Sequence, residues 1–310
     1  MSDILNDALD FASSLRKKDT STLSDNNVAV DPFFYEDPKI TSIIEYAMTE
    51  RPTKNVLLVG PTGCGKSSLA INVTARLKRN LEIFSCDGET STDNLIGKIL
   101  AEHDKDGPAT VAVEGAAIRA YREGKVLLLE EVDIASPEVL ASLHRIMETH
   151  SDFYTSNIGR EKIIKKHPEF MVIGTSNTIG TGEDTFMYSG TKALNMAFMN
   201  RFSITIKMDY LNSNQEIKVI QDKTGAAFSL AETLVNIAND VRDAADPARI
   251  GGSPGSTRIA SVISTRDLLE WANLINRLSM DIKNAAYYTF LNRASDSDKD
   301  IIRTFIQNRT

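Results

Sequence analysis

The run Gly60-Pro61-Thr62-Gly63-Cys64-Gly65-Lys66-Ser67 sets glycines, a lysine and a hydroxyl at a spacing that suits phosphate chemistry. It fits the pattern G-x-x-x-x-G-K-[ST] in full. The glycines let backbone N–H groups curl around phosphate oxygens, and a helix opening at the end of the loop adds its partial positive charge. The run and the following Ser68 are read as a nucleotide-binding loop. Lys66 is expected to reach the β- and γ-phosphates, and the Ser67 hydroxyl to ligate Mg²⁺. Cys64 reads as a small filler of the loop rather than a reactive thiol. A second run, Val126-Leu127-Leu128-Leu129-Glu130-Glu131, ends an apolar stretch in two carboxylates. Such a pair belongs at the C-terminal edge of a buried strand, where ligands sit in open α/β sheets. Glu130 is expected to hold Mg²⁺ through water, and Glu131 to be the catalytic carboxylate that orients and polarises an attacking water. The usual residue at the first of these positions is Asp, and Glu130 is one methylene longer.

This chemistry needs a strand before the loop and a helix after it. The apolar residues 55–59 read as a buried strand and 66–79 as a helix. Residues 81–84, 126–129, 170–174 and 202–208 read as further strands, and 137–148 as a helix. Strands alternating with helices predict an α/β fold, a three-layer core with a parallel sheet covered on both faces. After about residue 212 the strand signals stop. Residues 228–243, 265–279 and 281–308 read as helices, with Gly251, Gly252, Pro254 and Gly255 in a loop between them. Leu5, Ala8, Leu9, Ala12 and Leu15 recur at helical spacing near the N-terminus, and 23–27 reads as a linker. The expected division is an N-terminal arm over 1–28, an α/β nucleotide-binding core over 29–212 and an all-helical lid over 213–310.

Composition narrows the partners. The 310 residues carry 35 basic and 42 acidic side chains, a net charge of -7, which argues against a surface built as a whole for nucleic acid. No stretch approaches the roughly 18 apolar residues of a membrane span. Asp3, Asp7 and Asp10 stand where a secretory signal would be basic and then apolar. Cys64 and Cys86 are too few for a disulfide scaffold or a four-thiolate zinc site, and a reducing, cytoplasmic setting is the simplest reading. The four histidines show no metal-ligand spacing.

With both motifs placed, the chain resembles the AAA+ ATPases, which are P-loop NTPases. Within them it is most similar to the MoxR and dynein-related branch, and there to the CobS-type subunit of aerobic cobaltochelatase. The residues that carry the likeness are Leu128-Leu129-Glu130-Glu131-Val132-Asp133 with Ser136-Pro137, and Thr175-Ser176-Asn177-Thr178-Ile179-Gly180. They continue through Gly182-Glu183-Asp184-Thr185, Tyr188-Ser189-Gly190-Thr191 and Met199-Asn200-Arg201-Phe202. The likeness spans roughly residues 30 to 275. It implies an ATP- and Mg²⁺-dependent motor in a homo-oligomeric ring, a hexamer in this branch. Asn177 is implied as sensor 1, which helps position the water. Arg201 is implied as the arginine finger that acts on the γ-phosphate held by the next subunit. Arg266, in Ser264-Thr265-Arg266-Asp267, is implied as sensor 2 in the lid, with Arg258 as a nearby competitor. Asp93-Asn94-Leu95-Ile96-Gly97-Lys98 resembles the start of the second helix, which in this branch carries an insertion, here placed at 102–113. Residues 152–166 are implied as the hairpin before sensor 1.

The CobS likeness also implies a chelatase-type client, with a metal-binding adhesion-domain partner, although neither is encoded in this chain. Two further readings stay open at this level. Arg160, Lys162, Lys165, Lys166 and His167 form a basic cluster, the sole support for a nucleotide-gated motor on nucleic acid, and no aromatic platform is interleaved with it. Glu130 in place of Asp motivates a slow ATP-binding switch or structural ring. Phe33, Phe34 and Tyr35 either flank the nucleotide base or bury the linker against the core.

Overall fold

The computed structural model describes residues 28–87, 90–104, 107–148, 152–155, 163–178, 195–246 and 259–310. The expected N-terminal helix and linker, the Gly251 to Gly255 loop, Arg258, Arg160 and Lys162 lie outside them, as does the run from Ile179 to Thr191.

Five strands form one parallel sheet: β1 (Val56–Val59), β2 (Leu81–Ser85), β5 (Val126–Glu130), β8 (Met171–Ser176) and β9 (Ile204–Lys207). Their order is β2-β5-β8-β1-β9. Side chains alternate between faces, as a two-residue period requires. Val56, Leu58, Val126, Leu128, Met171 and Ile173 pack on one face under α1 (Pro38–Thr49) and α2 (Lys66–Arg76). Leu57, Val59, Leu127, Leu129 and Val172 pack on the other, under α3 (Thr92–Ile96), α4 (Ala116–Glu123) and α5 (Pro137–Ile146). Both faces are covered, so the strands read as unbroken apolar runs. Each fully buried aliphatic side chain contributes about 1.5–3 kcal/mol.

Several elements depart from the expected bounds. The strand expected over 202–208 is confined to Ile204–Lys207, because Phe202 closes a turn by donating its N–H to Met199 O. The insertion starts at Gly97, not Glu102. Strands β3 (Gly97–Asp104) and β4 (Gly107–Glu114) pair antiparallel as a hairpin between α3 and α4. Helix α1 was not read from the sequence, although Asp37 caps it and Pro38 opens it. The short pair β6 (Phe153–Tyr154) and β7 (Ile163–Ile164) is antiparallel, as the expected hairpin before β8 requires. After β8, the short helix α6 (Met196–Met199) leads into β9.

Beyond β9 the described chain is helical: α7 (Ser213–Thr224), α8 (Phe228–Ala245), α9 (Thr265–Leu278), α10 (Ile282–Thr289) and α11 (Asp296–Arg309). They enclose their own apolar core around Trp271, whose indole N–H donates to Ile282 O at 2.9 Å. Helix α7 was missed despite a complete capping box, Asn212 with Gln215, and Gly225 at its end. The single helix expected over 281–308 is two helices separated by a 3₁₀ turn at Leu291–Arg293. Ser295 restarts the chain as the cap of α11, and Asp298 turns inward to accept N–H bonds from Ala260 and Ser261.

Candidate functional site

The phosphate loop leaves β1 at the C-terminal edge of the sheet. Met208 N–H donates to Val59 O at 2.7 Å, and a Cβ on Gly60 would lie 2.3 Å from Met208 O, so only glycine fits there. Gly63 and Gly65 hold φ of +70° and +95°, the left-handed region that side chains disfavour. Helix α2 then opens at Lys66 with no side-chain cap. Its first-turn N–H groups face the loop, a ready anion site.

Lys66 is 9% exposed. Its ammonium donates to Gly60 O at 2.7 Å, to Pro61 O at 2.9 Å and to Asn177 Oδ1 at 3.0 Å. Burial pushes it below the usual lysine range, against the opposing pull of Cys64, Asp133 and Glu131. Burial also raises the Cys64 thiol above its ordinary value, as expected of an inert filler.

Strand β8 lies between β5 and β1, so the carboxylate pair reaches the loop across one strand. Asn177, directly after β8, bridges the gap through its bond to Lys66. Glu131 is exposed at the mouth of the site and adopts φ 56°, ψ 49°, rare for a side chain longer than Asn. Its N–H donates to Thr175 Oγ1 at 3.2 Å. Backbone held in this region concentrates at functional sites. Glu130 Oε2 instead accepts from Ser85 Oγ on β2, at 2.9 Å.

Asp133 was not assigned a role from sequence. It is fully buried, and its Oδ2 accepts from the N–H groups of Asn177 and Thr178 at 2.9 and 3.2 Å. It therefore sets the position of Asn177. The available signal was an acidic residue inside the otherwise apolar turn Val132–Ile134.

The lid faces the loop. A cavity of about 350 Å³ is lined by Gly63, Gly65 and Ser68 from the loop, Phe34 and Tyr35 from the N-terminal segment, Tyr210, and Arg266 from α9. Arg266 is exposed and forms no ion pair among the described residues. Phe34 and Tyr35 are held over the cavity. Asn72 of α2 accepts the Asp31 N–H at 2.7 Å and donates to Glu36, while Gln215 of α7 donates to Tyr35 Oη. Both readings of the aromatic run thus find support, since these rings line a cavity and also pack the segment onto the core.

Arg201 is not brought to this cavity. It precedes β9, which runs parallel to β1 with Val56 opposite Ile204, so it lies at the N-terminal edge of the sheet. The loop is at the other edge, about 13 Å away for a strand of this length. Arg201 Nη2 is held by His144 Nε2 at 2.6 Å and by Glu148 Oε1 at 3.1 Å. Within the basic cluster, Lys166 is spent internally. Its ammonium donates to Glu148 O at 2.6 Å and sits over the Tyr121 and Phe170 rings, which weakens the nucleic-acid reading.

The donor set fits a nucleotide and Mg²⁺. Among the described residues no group of three or more His, Cys, Asp or Glu could hold a metal alone. Mg²⁺ is ordinarily held by substrate phosphates with one or two protein oxygens and water, which Ser67 and Glu130 could provide. No helix among the described residues is long and apolar enough to cross a membrane.

The chain is similar to known proteins over most of its length. Residues 55–202 match the AAA domain of the dynein-related subfamily, and residues 216–307 match the CbbQ/NirQ/NorQ C-terminal domain. The aerobic cobaltochelatase subunit CobS of Sinorhizobium sp. is 28% identical over 280 residues, covering 90% of this chain and 81% of that one. An uncharacterized protein of Staphylococcus epidermidis is 28% identical over 245 residues, covering 78% of this chain and 85% of that one. Among solved structures, a mutant of RuvB from Thermotoga maritima superposes with a TM-score of 0.50 at 16% identity, over 88% of this chain and 77% of that one.

Proposed function

We propose that this chain, an AAA-domain protein of the dynein-related subfamily with a CbbQ/NirQ/NorQ C-terminal domain, is a Mg²⁺-dependent ATPase that works as a ring and remodels a partner protein. One observation carries the reading. The glycine loop, Lys66, Asn177 and Glu131 gather at one edge of a parallel sheet, and Arg266 of the lid lines a cavity with Gly63 and Gly65 of that loop.

The loop N–H groups and the start of α2 bind the phosphates, and Lys66 supplies a cation that forms no ion pair with a carboxylate among the described residues. Mg²⁺, when bound beside Ser67 and Glu130, would neutralise charge between the β- and γ-phosphates. Glu131 orients water, and Asn177, fixed by Asp133, helps hold it. Arg201 stands at the opposite sheet edge and reaches no phosphate of its own protomer. It suits a site completed by a neighbouring copy, where an arginine stabilises transition-state charge. His144 and Glu148 hold it ready.

The likeness to CobS supports a chelatase-type client, with a metal-adhesion-domain partner, as the first one to test; fold and motor carry over more readily than client. A ring of six subunits in the cytoplasm is the assembly proposed.

The test is an ATPase rate measured against protein concentration beside native mass. Specific activity should rise with assembly. Lys66→Ala and Arg201→Ala chains should each be inactive alone. Mixing them should restore part of the activity, because some junctions pair an intact Lys66 with an intact Arg201. A fully active monomer, or Arg201→Ala with wild-type turnover, would sink the shared site.

A further inference from the structure

The most completely enclosed ion pair of the described residues joins Arg242 on α8 to Glu216 on α7, their side chains 1% and 0% exposed. Arg242 Nη1 and Nη2 donate to Glu216 Oε2 and Oε1 at 2.8 and 2.9 Å. Nη1 also donates to Asn239 Oδ1 at 3.2 Å, and Nε to Ile263 O at 2.8 Å. Glu216 Oε1 accepts a further bond, at 2.6 Å, from the hydroxyl of Thr265, the first residue of α9. These bonds fix the plane of the guanidinium. Its face then covers the Tyr210 ring, 3.9 Å from the centroid.

Tyr210 belongs to the connection between β9 and α7, and its phenol donates to Thr62 O, inside the phosphate loop, at 2.9 Å. Beside this contact, Ser264 caps α9 and abuts the loop. A Cβ on Gly63 would stand 2.4 Å from Ser264 Cβ. Arg266 follows two residues later. An unbroken chain of contacts therefore runs from Thr62 through Tyr210, Arg242 and Glu216 to Thr265.

A buried ion pair roughly breaks even in stability against well-packed apolar residues, so stability alone gives little reason for one here. What a planar, forked arginine supplies is fixed geometry. It supplies it where the α/β core meets three lid helices.

We propose that Tyr210, Arg242 and Glu216 are positioning residues for the ATP site. They set the first turn of α9, and with it Arg266, against the phosphate loop, and they couple loading of the loop to the orientation of the lid. This rests on the reading of the cavity as an ATP site. Phosphates drawn onto the loop N–H groups shift Thr62, Tyr210 follows through its hydroxyl, and the Arg242 fork carries the shift to Thr265.

The test uses the full chain, with amide exchange of residues 60–68 and 267–270 followed with and without MgATP. Tyr210→Phe keeps the ring under Arg242 and removes the bond to Thr62. Without nucleotide, its amides at 267–270 should exchange faster than those of wild type. Its Kd for MgATP should rise about 2- to 10-fold, the size of one neutral hydrogen bond. MgATP should protect the loop and the start of α9 together in wild type, but chiefly the loop in Tyr210→Phe. Arg242→Lys keeps the charge without the fork and should decouple them further. If it does not fold, as thermal melting would reveal, Tyr210→Phe carries the test alone. Wild-type exchange at 267–270 in both states, with unchanged affinity, would overturn the linkage. A wild-type chain that binds no ATP would overturn the nucleotide reading instead; faster exchange of 267–270 in Tyr210→Phe would then still support the linkage, and unchanged exchange would overturn it.

Discussion

In the α/β half, Lys66 is buried against two carbonyls and the Asn177 amide; in the helical half, Arg242 is buried against the Glu216 carboxylate. Both cations have left water, and both are held by short hydrogen bonds, three from the Lys66 ammonium and four from the Arg242 guanidinium. They differ in net charge. Carbonyls satisfy the N–H groups of Lys66 without cancelling its charge, so an anionic phosphate still gains from approaching it. The carboxylate cancels the charge of Arg242 and spends it on holding two helices and the start of a third. Arg79 resembles Lys66 in being bonded to carbonyls, those of Met48, Gly124 and Glu169, and burial pushes it down to about 10. The Glu169 carboxylate partly offsets this. Lys66 differs in gripping the carbonyls of a loop whose Gly63, Cys64 and Gly65 border a cavity, which leaves space for an anion beside that loop.

The largest effects, on turnover, are expected of Lys66→Met and Glu131→Gln. Lys66→Met should lower ATP turnover by about 10²–10³-fold, the loss seen when one preorganised donor is removed. The melting temperature should hold or rise, because a desolvated charge disappears. A coincident loss of stability would place Lys66 with Arg242 as a structural cation. Glu131→Gln should cost about 10²–10⁴-fold in turnover while ATP binding persists, read by a binding assay beside phosphate release. If binding fails as well, Glu131 holds the fold rather than the water.

Next in size, Arg242→Met should destabilise by about 3–5 kcal/mol, because Glu216 is left charged and buried. Arg242→Met with Glu216→Leu should recover most of that loss in denaturant unfolding while still decoupling the lid. The double variant thus separates stability from positioning. If it unfolds like the single one, the pair is needed for folding itself.

The smallest effect is on pH. Lys66 in the folded chain titrates below its ordinary 10.5 because it is buried. Between that lowered value and 10.5 the unfolded chain binds more protons, so stability without nucleotide rises with pH across this window. ATP affinity should move the opposite way over the same window, as the amine loses its charge. Lys66→Met should flatten both trends, measured by unfolding and by binding between neutral pH and the lysine range.

The glycine loop and the carboxylate pair were legible as candidates because each is local in the chain. A strand, three glycines, a lysine and a hydroxyl must be adjacent for a loop to be able to wrap a phosphate, so spacing reports the candidate. The alternation of apolar strands and helices was legible for the same reason, and the strand order β2-β5-β8-β1-β9 was not. Helices α1 and α7 were legible too, although absent from the expected elements: Asp37 and Asn212 cap them, and Ile40, Ile43, Ile44, Ala47 and Met48 stand at helical spacing in α1.

The sequence by itself determined a parallel α/β core with a glycine-rich loop after its first strand and helices beyond it, because hydrophobic period and turn chemistry are properties of neighbouring residues. Only the tertiary structure decided that Asp133 holds Asn177, that Arg201 stands a strand length from its own loop, and that Tyr210, Arg242, Glu216 and Thr265 form one chain of contacts. Each of these joins residues far apart in the chain. A buried charge reveals its purpose by what it touches, and contact across such separations is fixed when the sheet edge and the lid close on each other.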